Sequence, residues 1–435
     1  MTLRRLILSR VTILTTIVLA LLAMLVGSFI PQAFMLTPSG LLKWRADYPN
    51  LAPLAEKLGL THVYTHPLFA LILLAAVITL GFSCYEQLRR TLRLWRDGSG
   101  CEAGRQFMGA GSLTEAGAIL RSHGYRQKGE RFVRHVLGFW GNTLLHTGML
   151  VVITASLWIA LFQQRGMVRL AEGDLFKPGD PWLSSEQGLL AGSFALDDAV
   201  RLDRVAYDYW PSHAVKRVAS QLAFISRDGT VTDRPVAINS VMLHQGVRVY
   251  QGIDFGHAFF VEIRSADGRT SVSQLFIEHQ QSPEKAGYAD FENFFGPGKT
   301  LRVKYFAEVD HSSLQGTNPL LVMRLDEGGR EIGQISLTTG ATADLAGYRA
   351  RLVAVRRWSS FIFVNLTGIS AIFAGFGIIC LGGVLNYFTS PREAWVRETA
   401  GGGTEISWHA NRFARFYEEE YEELKREMSA KEQYG

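Results

Sequence analysis

Cysteine is scarce in this chain: only Cys84, Cys101 and Cys380 occur among 435 residues. None falls between residues 163 and 358, so that stretch holds no disulfide and no thiol redox pair. Cys-x-x-Cys-His is absent, which excludes a chain that itself carries haem of the c type. There is no phosphate-cradling glycine loop, Ser-centred nucleophile elbow or His-Glu-x-x-His; "GAGSL" at Gly109–Leu113 lacks the lysine a phosphate loop needs. The acidic residues of 163–358 show no metal spacing. An active site of its own in the soluble part is therefore not expected, and no catalytic residue is assigned. Charge is missing in blocks as well. Val11–Ile30, Pro67–Tyr85, Val136–Phe162 and Ser359–Phe388 contain no Asp, Glu, Lys or Arg.

Each of those stretches comes close to or exceeds the ~20 residues that cross a hydrocarbon core. In lipid a helix satisfies its own backbone, so four transmembrane helices are predicted. No small-residue cleavage site follows Ile30, so the first is read as a retained anchor. Arg4, Arg5 and Arg10 precede or open the first helix, "EQLRRTLRLWRDG" follows the second and "RQKGERFVRH" leads into the third. Such basic flanks mark the cytoplasmic side. The expected order is an anchor with the first helix (1–31), a short external loop (32–66), the second helix (67–85) and a basic cytoplasmic segment (86–135). The third helix (136–162), an external domain (163–358), the fourth helix (359–388) and a cytoplasmic tail (389–435) follow. Arg356 and Arg357 run against the rule locally, but long domains translocate largely regardless of charge. The formal charge of +5 follows from this topology and gives no reason to expect nucleic acid.

Between the third and fourth helices the pattern changes to short alternating runs. "SQLAFISRDGTVTDRPVAI", "FFVEIRSADGRTSVSQLFIE" and "LLVMRLDEGGREIGQISL" each break at Asp-Gly or Gly-Gly, a strong hairpin signal. "RVYQGID", "LRVKYFAEVD" and "YRARLVAVRRW" add strands, and "NFFGPGKT" is a loop. Roughly Met167–Arg357 is predicted as one antiparallel all-β domain, a sandwich or partly open barrel. Beyond the fourth helix "WVRETAGGGTEISWHA" suggests a hairpin and "NRFARFYEEEYEELKREM" a helix. That helix bears Phe413, Phe416, Tyr417, Tyr421 and Leu424 on one stripe, suited either to the membrane or inner surface or to weak docking on the cytoplasmic segment.

Two histidines stand out. His146 lies about ten residues into the third charge-free stretch, where a ring nitrogen needs a partner. One reading is a hydrogen bond to Ser, Thr or a carbonyl, with Thr143 and Thr147 nearby; the other is an axial ligand to haem iron. His66 opens the second helix at the opposite surface, where it is either an interfacial ring beside a helix-starting proline or a second haem ligand. The second helix covers ~30 Å between its ends, and with His66 at one surface and His146 in the opposite leaflet the two cannot grip one iron. If either binds haem, its second ligand must come from elsewhere; no other His lies inside a span, and a second subunit is the natural source. "NLTGISAIFAGFGIICLGG" carries Ala371 and Gly375 at small-xxx-small spacing, for packing either on such a subunit or within this chain's own bundle.

Taken in order, "FSCYEQLRR", "WGNTLLHTGMLVVI", "VMLHQGVRVYQGIDFG" and "GGGTEISWHANRFARFYEEEYEEL", with the short loop after the first helix, resemble the ResB family of cytochrome c biogenesis, System II. The resemblance covers nearly the whole chain. It implies a multi-pass inner-membrane subunit with its β domain on the periplasmic side, working with a multi-span CcsA/ResC-type partner. Together they would deliver haem and attach it covalently to apocytochrome c. The family places the tryptophan-rich haem-handling loop on the partner, and Trp-Trp-Asp is absent here. By that resemblance this chain is a non-catalytic subunit contributing a haem ligand, with His146 and His66 as the candidates, His146 for the iron and the haem shared with the partner. The external domain would dock apocytochrome, and membrane lipid would surround the helices. The competing expectation is a membrane-anchored receptor or assembly scaffold whose β domain binds a ligand, with no haem.

Overall fold

In the computed structural model of the chain, which describes residues 9–36, 38–265, 267–315, 317–399 and 403–429, four helices are long and apolar enough to cross a membrane. Arg4 and Arg5 lie outside the described residues. The first span is Arg10–Phe29, capped by the Ser9 hydroxyl, which accepts the Thr12 amide at 3.0 Å. The second, Pro67–Asp97, continues well past its charge-free part, because "EQLRRTLRLWRD" is built of strong helix formers. The third begins as a 3-10 turn, Val136–Trp140, and becomes α-helical over Gly141–Phe162. The fourth is Ile369–Phe388. Its charge-free stretch therefore divides. Ser359–Asn365 completes a strand, with Phe361 and Phe363 fully buried on one face, and the left-handed Gly368 (φ 110°) separates strand from helix.

Ala33–Trp44 and Phe162–Leu366 form one compact unit and the rest of the chain the other. In the latter, glycines set the crossing of the third and fourth spans. A Cβ at Gly148 would come 2.6 Å from Ile379 and 2.8 Å from the Gly375 carbonyl; one at Gly382 would come 2.6 Å from the Leu145 amide nitrogen. Gly375 thus packs inside the chain's own bundle.

The same unit holds a five-stranded sheet drawn from two distant segments. Its order is Arg105–Gly109, Thr404–Ala410, Arg392–Glu398, Arg131–Arg134, Arg126–Lys128. The predicted tail hairpin is present, with Val396 opposite Ile406, although residues 400–402 of its turn lie outside the described residues. The tail helix is shorter than expected. A left-handed Phe413 and a 3-10 turn, Ala414–Tyr417, precede Glu418–Ser429, whose three leading glutamates suit a helix N-terminus. Tyr421, Leu424 and Met428 bury with Leu120, Phe132 and Trp408 in the sheet's core, while Phe416 is 82% exposed. The aromatic stripe therefore splits between core and surface. The helix docks on the segment after the second span, and that segment and the tail lie on one side of any membrane the spans cross.

The β unit is a large antiparallel array of several sheets, and no closed barrel forms among the described residues. Its axis is a pair of long strands, Val247–Arg264 and Tyr348–Asn365, with register shifts between Gln251 and Phe255 and between Phe260 and Val261. Their two halves enter different cores. Val249, Phe255, Phe361 and Phe363 pack beneath a four-stranded sheet containing Ala199–Tyr209 and Val215–Ile225. Phe259, Val261, Ala350 and Leu352 pack beneath a second one containing Lys299–Phe306 and Leu320–Glu327. The three predicted hairpins are all present. Arg356 and Arg357 belong to this architecture: Arg356 donates to the Glu172 carbonyl at 2.9 Å, and Arg357 lies over the Tyr207 ring.

Candidate functional site

His146 sits in the second turn of the third span, half-buried, with its Nδ1 2.9 Å from the Asn142 carbonyl oxygen. A carbonyl only accepts, so Nδ1 carries a proton, and the lone pair of a neutral ring is on Nε2. Neither neighbouring threonine takes the ring. Thr143 bonds Thr91 at 2.8 Å, and Thr147 lies 3.3 Å from the Cys84 sulfur. Those two contacts turn Thr143 and Thr147 to the second span, while Gly141, Leu145, Gly148 and Val152 face the fourth. At ~100° per residue, His146 and Met149 occupy one of the two sectors between those faces. The partners Cys84 and Thr91 carried little sequence signal; Thr91 stands within the arginine-rich run.

His66 is arranged the opposite way. It is the N-cap of the second span, and its Nδ1 accepts the Leu68 amide at 3.2 Å, which puts the proton of a neutral ring on Nε2. The ring lines an apolar cavity of about 230 Å³ between Leu22 and Val26 of the first span and Phe69 and Ile72 of the second. It also lies against Gly59, where a Cβ would come 2.7 Å from the ring carbon Cδ2. Because His146 is level with Cys84, 18 residues along the second span, the two rings are about 27 Å apart along it and the structure does not bring them together. In the neutral ring His146 has the tautomer that iron ligation through Nε2 requires, with Nδ1 held by a carbonyl. His66 would have to release its cap first.

The β unit holds two further histidine arrangements that the sequence did not single out. His244, within the quoted "VMLHQGV", donates from Nε2 to the Asp198 carboxylate at 2.8 Å and stacks on Phe224 at 4.0 Å. They border a cavity of about 150 Å³. His257 is buried between the two cores, its Nδ1 3.0 Å from the Tyr305 hydroxyl and its Nε2 without a partner. Burial first, and then the charges of Arg357 and His279, push its pKa down to about 3. No three His, Cys, Asp or Glu side chains among the described residues are placed to hold a metal ion.

The chain is matched over residues 10–422 by the family model described as ResB-like. It is similar to the cytochrome c biogenesis protein CcsB of Trichormus variabilis, 23% identical across 89% of this chain and 85% of the relative. The CcsB proteins of a Nostoc species (23% identical, 88% and 80% covered) and a Synechococcus species (26%, 88% and 79%) are similar over the same extent. With nearly all of its length inside the family model, through all four spans and the β unit, the chain belongs to the ResB-like family.

Proposed function

We propose that this chain serves c-type cytochrome biogenesis as a membrane subunit that supports haem delivery and covalent haem attachment to apocytochrome c, together with a CcsA/ResC-type multi-span partner. The observation that carries the haem part is His146: an imidazole whose Nδ1 is tied to the Asn142 carbonyl, on a sector of the third span turned to neither the second nor the fourth. Haem is cargo here. His146 would hold its iron from one side, and the partner would supply the opposite ligand and the attachment chemistry. His66, at the other end of the second span, is the second candidate ligand and would act at a different station. The β unit is assigned to the outer side of the inner membrane by the arginine-rich flanks, where it would receive apocytochrome. A surface without cysteine suits that task, because a thiol there would form mixed disulfides with the thiols of the client.

Co-expression of this chain with its multi-span partner should yield c-type cytochrome, and the purified complex should show a Soret band. His146→Ala should lower the haem that co-purifies, and unchanged haem content in that variant would remove His146 from the pathway. A complex with no Soret band under any condition would favour a haem-free scaffold.

A further inference from the structure

We infer that the edge strand Gly287–Glu292 is a docking rail on which an extended, basic peptide segment pairs by strand addition. This strand ends a four-stranded sheet and pairs on one side only, with Lys299–Phe306, so that Tyr288 lies opposite Lys304 and Asp290 opposite Arg302. In an antiparallel pair, alternate residues turn their N–H and C=O away from the partner, so half of this strand's backbone groups face outward. None of those groups bonds elsewhere in the described structure. The free edge of the other four-stranded sheet, Val231–Ala237, is interrupted by Pro235, a residue that blocks strand pairing. Gly287–Glu292 has neither proline nor lysine.

Three cavities, of about 420, 470 and 520 Å³, run along this strand, and Tyr288, 68% exposed, borders all of them. The largest is floored by Phe276, Phe294 and Trp358, wells that side chains of an added strand can enter. Carboxylates decide the charge of the occupant. Glu278, Glu284, Asp290 and Glu292 border the two larger cavities against Arg169 and Lys285, so the acidic character belongs to those two; the third is lined by Asp290 with Lys304, Arg302 and Arg324, the two arginines lying 3.2 and 3.0 Å from Asp326. A second copy of the strand, in a register that aligns the Tyr288–Asp290–Glu292 faces, would bring carboxylates together, which opposes self-pairing. A lysine-bearing segment gains from the same groups. The choice of an unfolded polypeptide as occupant rests on the proposed role of the β unit in receiving apocytochrome.

The test is fluorescence anisotropy on the detergent-solubilised full chain with a labelled peptide of about ten residues alternating lysine and valine. Its glutamate–valine counterpart and the lysine peptide N-methylated at alternate residues serve as comparisons. The lysine peptide should bind, and N-methylation, which removes the pairing donors, should weaken binding by about tenfold or more. In D290K/E292K, two exposed positions, the lysine peptide should lose about tenfold and the glutamate peptide should gain binding. Absence of binding, equal binding of the N-methylated peptide, or an unchanged preference in the double variant would each overturn the proposal. The assay contains neither haem nor a partner chain, so its failure is distinct from failure of the biogenesis reading, which shows in the cytochrome yield of the co-expressed pair.

Discussion

His257 shows how a single ring can set the acid limit of the β unit. In the folded chain it is fully buried and kept neutral down to about pH 3, whereas in the unfolded chain it titrates near 6.5. Between those values the unfolded state binds a proton that the folded state refuses. Stability therefore rises with pH across that window, is lost on acidification from about 6.5 towards 3, and is unaffected by this group above it. The slope from one such group is about 1.4 kcal/mol per pH unit. His257→Phe keeps an aromatic ring of similar size and gives up one hydrogen bond to Tyr305, since Nε2 has no partner. Thermal melts at pH 7, 5.5 and 4.5 should show the variant losing less stability on acidification than the parent chain. Equal losses in both would show that His257 is not the group responsible. His279, stacked on Phe255 and also held below its usual range by burial, works in the same direction.

Among the elements, the join between the helical bundle and its small sheet depends on one buried pair. Arg131 and Glu393 bond with 2% and 0% of their side chains exposed. Arg131 also donates to the carbonyls of Leu94 (3.0 Å) and Trp95 (2.7 Å) at the end of the second span, and Glu393 accepts the Ser99 amide at 2.9 Å. The pair thus ties together the strand before the third span, the strand after the fourth and the last turn of the second. Arg131→Met strands a carboxylate in the interior and should cost about 3–5 kcal/mol, whereas R131M/E393L, with both charges removed, should recover most of that loss. Melting followed by tryptophan fluorescence reads both. None of this pairing was legible in the sequence, since Arg131 and Glu393 stand 262 residues apart. What could be read was local: charge-free runs, and Asp-Gly or Gly-Gly between alternating runs. Where an apolar strand ran straight on towards an apolar helix, as at Ser359–Asn365, periodicity and the absence of charge could not divide them; only Gly368 marked the break. The candidate site was legible to the same degree. His146 could be singled out because it is polar in an apolar run, but the carbonyl that orients it is offered by every helix and leaves no trace in composition.

At the scale of the whole molecule, the small sheet constrains membrane sidedness. The sheet shared by the segment after the second span and the tail requires those two on one side, whatever the orientation, because a strand ladder cannot bridge a bilayer. The proposed topology of four spans would put the β unit on the other side, with the arginine-rich flanks marking the cytoplasm. Replacing Cys84, Cys101 and Cys380 by serine leaves a background in which single cysteines report position. Glu130, Thr339 and Lys425 are exposed, in the small sheet's turn, the β unit and the tail helix respectively. A membrane-impermeant maleimide applied to spheroplasts should label Thr339→Cys at once, and Glu130→Cys and Lys425→Cys only after lysis. Different behaviour of Glu130→Cys and Lys425→Cys would contradict the shared sheet. Thr339→Cys protected together with both would instead contradict the span count, and with it any outward delivery by this chain, because the cysteine-free surface proposed to receive the client would then face the wrong compartment.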